Sequence, residues 1–176
     1  MGLFRKKKRQ SDAEALDFSI VRVDEENYAL YDDTVFFRVH NRERTPDERA
    51  LPRDFGANLA MLGDKNLRVY AAKVGDRFVG NVAAVFIPKV GHPFYGGRGY
   101  LDIDELWTAP AYRRHGIAYA LMNEAEHAAQ EMGAVAVRLY VGGTNRGAYK
   151  LYTKCGYEDR GGGAHWMVKE FKGRNS

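Results

Sequence analysis

The clearest hydrophobic pattern in the chain lies in its second half. Apolar side chains recur there at steps of three and four residues: Ile117, Leu121, Ala125, Ala128 and Met132. This spacing places them on one face of a helix, and Gly133 follows at the position where glycine commonly ends one. The pattern therefore predicts a long amphipathic helix that ends at Gly133.

A helical region is also predicted near the start of the chain. Asp24 is a suitable N-cap, and two acidic residues follow it, as is typical of a first helical turn. The region extends toward Leu62, with interruptions at Pro46 and Pro52, and Gly63 ends it.

Segments rich in β-branched and aromatic side chains predict strands between and after these helices. The predicted strands are 18–23, 67–74, 78–87, 100–108, 134–140, 157–160 and 165–171. A Gly75-Asp76 turn joins the second and third into a hairpin. With a short helix over 145–155, the element order predicts a mixed α/β sheet.

Length and composition indicate a globular protein with no membrane span. The 176 residues predict one domain, and 45% hydrophobic with 28% charged residues is ordinary globular composition. The single cysteine, Cys155, excludes a disulfide framework, and the five histidines lack metal-ligand spacing, so no metal is expected. The longest strictly apolar run, 82–87, is too short to cross a bilayer. We expect a cytoplasmic protein.

The positive charge is concentrated at the N-terminus. Residues 1–10 contain five Lys and Arg and no acid, and the rest of the chain has 22 basic against 23 acidic residues. The body therefore lacks the charge of a nucleic-acid-binding domain. We expect residues 1–16 to form a disordered basic arm. Contact of residues 1–10 with nucleic acid or an anionic membrane is the alternative.

A basic turn before the long helix is the first candidate for chemistry. The segment Leu106–Ala118 reads LWTAPAYRRHGIA, in which a strand ends at a proline and a glycine precedes the helix. Backbone N–H groups at a helix start have no internal partner and can hold a phosphate. Arg113, Arg114 and His115 add positive charge, and Gly116 allows close approach of an anion.

Two motifs together resemble the GNAT superfamily of acyl-CoA-dependent N-acyltransferases. Arg113, Gly116 and Ala118 match the family's pyrophosphate loop, R/Q-x-x-G-x-G/A. The family's later segment, N-x-x-A-x-x-L-Y-x-x-x-G-F/Y, is matched by Asn145, Ala148, Leu151, Tyr152, Gly156 and Tyr157. The order of elements between the motifs also agrees, over roughly residues 18–171.

The resemblance implies a fold and a cosubstrate. The fold is a mixed, mostly antiparallel central sheet that splays between its fourth and fifth strands and is flanked by helices. The acetyltransferase domain would span 17–172, followed by a tail at 173–176. Acetyl-CoA would be the cosubstrate. The residues implied to bind it are Leu106, Trp107, Thr108, Arg113, Arg114, His115, Gly116, Ile117, Ala118, Asn145, Ala148 and Tyr152.

The resemblance also implies catalytic groups for direct acetyl transfer to an amine. An amine is mostly protonated at neutral pH, so a base must accept a proton before attack. Glu105, at the strand end that meets the acyl group, is the preferred base. Asp102 and Asp104 are alternatives, because a bulge would change which side chains face the cleft. Tyr152 matches the residue that protonates the departing thiolate.

The acceptor is expected to be a small cationic amine, such as a polyamine, an aminosugar or a lysine-like group. The expected lining mixes aromatic and acidic side chains: Tyr28, Tyr31, Asp32, Asp33, Phe94, Tyr95, Asp102 and Asp104. Two other functions stay open: a CoA-binding module without turnover, and an acetyltransferase whose basic arm docks a protein or RNA substrate. The family is frequently dimeric, which leaves a homodimer open.

Overall fold

The computed structural model describes residues 16–91 and 98–161 of the chain, and these described residues fall into two compact units, one up to Tyr140 and one from Val141 onward. The first contains β1 (Ser19–Arg22), α1 (Tyr28–His40), α2 (Pro46–Ala50), α3 (Gly56–Leu62), β2 (Leu67–Val74), β3 (Arg77–Pro88), β4 (Gly99–Thr108), a 3₁₀ turn (Pro110–Tyr112), α4 (Ile117–Glu131) and β5 (Ala134–Leu139). The second contains α5 (Arg146–Lys154). Over the described part of the chain, no helix has the length and apolar character to cross a membrane.

The five strands form one mixed sheet in the order β1-β2-β3-β4-β5. The first four strands are antiparallel, including the predicted β2–β3 hairpin, and β5 runs parallel to β4. β5 ends at Leu139, opposite Ile103. Residues 104–108 of β4 therefore continue without a described strand partner on that side. The predicted mixed sheet that opens between its fourth and fifth strands is confirmed.

A bulge in β4 decides which of its side chains share a face. Ala84 of β3 pairs with Ile103, and Ala83 pairs with Glu105, so Asp104 is the extra residue. Because side chains alternate along a strand, one extra residue reverses the alternation. Glu105 therefore lies on the same face as Asp102, where a regular strand would have placed Asp104.

Helices cover both faces of the sheet. Along α4, the predicted apolar residues Ile117, Leu121, Ala125 and Ala128 are buried, and the helix packs against β2 to β5. On the opposite face, α1 packs on β3 and α3 on β2. The Thr34 hydroxyl of α1 lies within hydrogen-bond distance of two carbonyl oxygens, that of Leu30 in its own helix at 2.9 Å and that of Phe78 in β3 at 3.2 Å. The contact with Phe78 holds α1 on the strand pair that contains the bulge.

The helical boundaries correct two predictions from the sequence. The first helix begins after Asn27, one turn later than an N-cap at Asp24 predicts. Asp24 and Asn27 instead exchange hydrogen bonds, in which each backbone N–H donates to the other side chain at 3.2 Å. Pro46 starts a helix instead of interrupting one, because Thr45 caps it in a capping box and proline suits the first position.

The predicted C-terminal strands have a mixed outcome. No strand is found at 157–160 in the part of the chain that the structure describes. The predicted partner, 165–171, lies outside the described residues.

Candidate active site

The turn before α4 contains two residues in the left-handed backbone conformation, which few residue types adopt. Arg114 has φ +70° and Gly116 has φ +87°, both in the left-handed region. The Arg113 side chain folds back, and its Nε donates to the carbonyl of Thr108 at 3.1 Å. Arg113 therefore braces the end of β4 against the turn. Arg114 and His115 are exposed beside it.

This turn presents a row of backbone N–H groups. Among the described residues, no hydrogen-bond acceptor is found for the N–H groups of the five consecutive residues from Arg114 to Ala118. They stand at the N-terminus of a 15-residue helix, where the helix dipole favours negative charge. An anion with several oxygens, such as a diphosphate, fits this donor set.

Gly116 is required by its backbone conformation. A Cβ atom at this position would meet no heavy atom within 4 Å, so space is not the reason for glycine. A left-handed conformation costs other residues about 1–2 kcal/mol. A longer side chain at position 116 would extend from the row of N–H groups into open space.

Gly80 brings the end of β4 close to the start of α4. A Cβ atom there would lie 2.9 Å from the carbonyl oxygen of Trp107 and 3.3 Å from both Ile117 Cγ2 and Thr108 Oγ1. The Thr108 hydroxyl is buried and has no hydrogen-bond partner among the described residues. Thr108 therefore offers an unused donor and acceptor next to the turn.

Glu105 is held by two side chains from different elements. Asn81 of β3 donates its Nδ2 to Glu105 Oε1 at 2.8 Å, and Arg38 of α1 forms an ion pair with the same oxygen. The Glu105 side chain stays 29% exposed. No donor to Oε2 is found among the described residues. One oxygen of the carboxylate is thus fixed, and the other is available.

The other two acids of β4 have different surroundings. Asp102 forms an ion pair with Arg138 of β5 at 3.1 Å, and the Arg138 guanidinium lies 3.5 Å from the centre of the Tyr100 ring. This contact joins β4 to β5 where they still pair. Asp104 is exposed at the bulge. The three acids of β4 therefore have different environments. Asp102 joins β4 to β5, Glu105 is held by Arg38 and Asn81, and Asp104 is exposed.

The predicted acceptor-lining tyrosines lie on the α1 side of the sheet. Tyr28 is buried in the core and packs edge-on against Phe55, with ring centres 4.9 Å apart. Tyr31 is partly buried, and burial together with the nearby Glu105 raises its pKa to about 12. The Tyr31 phenol therefore stays neutral near Glu105. Tyr28 is part of the hydrophobic core. Phe94 and Tyr95 lie outside the described residues.

Asp32 and Asp33 lie among arginines. Arg53 bonds both carboxylates at 2.8 Å, and Arg44 pairs with them at 2.9 and 3.1 Å. Arg49 adds a 3.1 Å contact to Asp33. These pairs join α1 to α2 and to the segments beside it, and Asp33 also lines the cavity between α1 and β3, so a role of the two aspartates toward a substrate stays a prediction.

Neutralising this pair in the double variant Asp32→Asn, Asp33→Asn should destabilise the protein. The variant leaves the partly buried Arg44 and Arg53 without their carboxylate partners, at a cost of about 1–2 kcal/mol, and exposed Arg49 keeps its pair with Glu43. We expect Tm to fall by about 2–6 °C in a thermal melt. The matched control is Glu25→Gln, Glu26→Gln, which neutralises two exposed neighbouring acids. A raised KM for a cationic amine with no change in Tm would instead assign Asp32 and Asp33 to substrate recruitment.

A cavity of about 260 Å³ lies between α1, the start of β3 and the end of β4. Its apolar part includes Leu30, Phe37, Phe78 and Trp107. Neither Glu105 nor Arg38 lines it. The cavity is therefore a space distinct from the surroundings of the Glu105 carboxylate.

The second unit holds the later motif on α5. The Asn145 side chain caps the helix by accepting the N–H of Ala148 at 3.1 Å. Tyr152 packs against Tyr157, with ring centres 6.1 Å apart. Burial, with a smaller contribution from Cys155, raises the pKa of Tyr152. Its phenol is therefore protonated at neutral pH and can donate a proton.

Comparison with known proteins identifies the family. Residues 27–157 match the Acetyltransferase (GNAT) family, which is about three quarters of the chain and includes both motifs. The chain belongs to the GNAT family. Members of this family are acyltransferases, and acetyl-CoA is the cosubstrate that the family uses. The row of N–H groups before α4 suits the diphosphate of that cosubstrate.

Individual GNAT relatives agree with this assignment. An uncharacterized N-acetyltransferase of Methanocaldococcus jannaschii is 36% identical over 63 residues, which cover 36% of this chain and 28% of that relative. The match thus spans little more than a quarter of the relative's length.

Solved GNAT structures share the fold. An aminoglycoside acetyltransferase from an uncultured soil metagenomic sample has a TM-score of 0.70 and 20% identity, with 88% of this chain and 99% of that chain covered. AAC(6')-Iy in complex with the bisubstrate analog CoA-S-monomethyl-acetylneamine has a TM-score of 0.68 and 11% identity, with 87% and 99% covered.

Sequence reasoning missed the residues that surround the β4 acids in this GNAT domain. Arg38 and Arg138 reach Glu105 and Asp102 from other elements, and no local pattern distinguishes them from other arginines. Asn81 did carry a signal. It is a polar residue inside the apolar stretch Phe78–Ile87, where a polar side chain needs a hydrogen-bond partner.

Proposed function

We propose that this GNAT protein transfers the acetyl group of acetyl-CoA to a primary amine of a small cationic molecule, by direct attack in a ternary complex. The observation that carries the proposal is the row of five backbone N–H groups from Arg114 to Ala118 beside left-handed Gly116. Donors in this arrangement suit the pyrophosphate of the cosubstrate. Arg114 and His115 add side chains that favour an anion.

The remaining cosubstrate contacts are proposed along β4 and at Asn145. The edge of β4 beyond Ile103 has no described strand partner on the β5 side, so backbone groups of Leu106 to Thr108, other than the Thr108 carbonyl that accepts from Arg113, are proposed to contact the pantetheine. The buried Thr108 hydroxyl supports this, because a buried polar group without a partner is costly. Asn145, Ala148 and Tyr152, which match the later family motif, are the remaining residues proposed to contact the cosubstrate.

Two side chains are proposed to move protons. Acetyl-CoA supplies a thioester carbonyl that an amine can attack and a sulfur that leaves as a thiolate. Glu105 accepts a proton from the amine, directly or through one water, at its available oxygen Oε2. Tyr152 donates its phenolic proton to the thiolate, and its raised pKa keeps that proton in place at neutral pH.

The choice of a small amine rests on two lines of support. Structural relatives include aminoglycoside acetyltransferases, and aminoglycosides are small cationic amines. The exposed carboxylate of Asp104 also lies beside Glu105 on β4, where it favours a cationic acceptor.

The test measures release of CoA from acetyl-CoA by the full chain. Neamine, spermidine and lysine are each assayed separately as the acceptor. Turnover of one amine, with mass spectrometry showing one added acetyl group on nitrogen, is the expected result. Binding of acetyl-CoA without turnover of any of the three would replace the proposal with the CoA-binding module.

Replacing Tyr152 with phenylalanine removes the proposed acid and leaves the ring in place. We expect kcat to fall by about 10- to 100-fold, because the thiolate must then take its proton from water. The dissociation constant of acetyl-CoA should change little. Tyr149→Phe, on the same helix and more exposed, is the matched control. Equal kcat values for Tyr152→Phe and wild type would remove Tyr152 from the mechanism.

A further inference from the structure

Asn81 is a polar residue buried in an otherwise apolar part of the core. Only 2% of its surface is exposed, and it lies in β3 among Val79, Val82 and Ala84, which are also buried. Burial of an amide costs free energy unless its donors and acceptor find partners. The Nδ2 atom of Asn81 donates to Glu105 Oε1 at 2.8 Å.

The bulge in β4 makes this contact possible. Because Asp104 is the extra residue, Glu105 lies opposite Ala83 and Trp107 lies opposite Asn81. Asn81 and Glu105 are therefore diagonal neighbours on one face of the strand pair, within reach of long polar side chains. Without the bulge, Glu105 would point to the other face of the sheet.

Asn81 differs from Arg38, the second partner of Glu105, in its freedom to move. The Arg38 side chain is 41% exposed at the end of a long flexible stem, so solvent weakens its ion pair. Asn81 is fixed by the strand and by burial. Tyr31 also faces the carboxylate from α1, and burial keeps its phenol neutral. Asp102 shares the face but is paired with Arg138.

We propose that Asn81 is a positioning residue for Glu105. Its amide holds Oε1 so that Oε2 points toward the reacting amine, and Arg38 supplies the charge beside it. This inference rests on the proposed role of Glu105 as the base. It concerns the orientation of that carboxylate on its face of the sheet, where its two described side-chain partners come from β3 and α1.

A spectroscopic test needs no acceptor. In ¹H–¹⁵N spectra of the full chain, the side-chain NH₂ signals of Asn81 should move when Glu105→Gln removes the charged acceptor. The signals of Asn27, whose amide donates to the carbonyl of Arg22 at 3.0 Å, should stay in place. Unmoved Asn81 signals would overturn the contact and with it the inference.

A kinetic test separates positioning from simple packing. Asn81→Leu keeps the branched shape and the number of side-chain heavy atoms and removes the donor, and Val82→Ala is the control on the opposite face of the same strand. The assay uses whichever of neamine, spermidine and lysine gives the highest turnover with wild type. We expect Asn81→Leu to lower kcat about 10-fold and to leave the dissociation constant of acetyl-CoA unchanged. In a Glu105→Gln background, the same change should cause no further loss.

The possible failures are distinguishable. If wild type turns over an amine and Asn81→Leu matches its kcat, the positioning role is wrong and the proposed function stands. If the fall in kcat of the double variant equals the product of the falls caused by Asn81→Leu and Glu105→Gln alone, the two residues act independently. Asn81 then contributes to the fold and does not position Glu105. If wild type turns over none of the three amines, the proposed function fails, and the inference fails with it even if the Asn81 signals move.

Discussion

Gly116→Glu should weaken acetyl-CoA binding by about 100-fold or more in isothermal calorimetry. A Cβ at position 116 points into open space, so the new side chain can extend from the helix start without disturbing the core. Its carboxylate would compete with the diphosphate for the N–H groups of Arg114 to Ala118. A 100-fold loss corresponds to about 2.7 kcal/mol, on the order of two charge-assisted hydrogen bonds.

The chain provides a matched control in Gly75→Glu. Gly75 has φ +58°, and a Cβ atom there would also meet no heavy atom within 4 Å, so the same substitution carries similar backbone strain in the β2–β3 turn. This variant should bind acetyl-CoA as wild type does. Equal affinities for the Gly116→Glu variant and wild type would show that the cosubstrate does not use the turn before α4.

Glu105→Gln should lower kcat by about 100- to 1,000-fold with little change in acetyl-CoA affinity. Glutamine keeps the length and an oxygen that can accept from Asn81, but it cannot take a proton from the amine. The reacting amine then depends on solvent to remove its proton. Steady-state kinetics at saturating acetyl-CoA, together with calorimetry on the same variant, separate the two effects.

The neighbouring acids provide the controls for this prediction. Asp104→Asn changes the exposed carboxylate of the bulge, and we expect it to raise KM for a cationic amine more than it lowers kcat. Asp102→Asn breaks the pair with Arg138 and should act on stability. A large loss of kcat in Asp104→Asn, with Glu105→Gln nearly as active as wild type, would make Asp104 the base.

The features that the sequence predicted correctly are those with a local cause. The α4 stripe and the β2–β3 hairpin follow from spacing and turn residues within one segment. The bulge at Asp104 does not, because it exists only in the pairing of β4 with β3. Sequence alone therefore left the three β4 acids as alternatives, and the fold is needed to separate their surroundings.

Helix starts and ion pairs were harder to predict, because several residues could serve in each case. Asp24 and Asn27 are both residue types that cap helices, and the structure starts the helix after Asn27, with the two side chains bonded to each other's backbone N–H. The sequence predicted Asp32 and Asp33 as acids that face a substrate, but it did not predict Arg44, Arg49 and Arg53, which the fold brings beside them. The partners of a charge are set by tertiary structure, which spacing along the chain does not encode.

The opening between β4 and β5 also bears on self-association. An unpaired strand edge is a template on which another chain can add a strand, and proteins discourage this with charges and irregular backbone. The open edge of β4 is short, begins at the bulge and carries the exposed carboxylate of Asp104. The irregularity that turns Glu105 toward α1 therefore also makes this edge a poor template for aggregation.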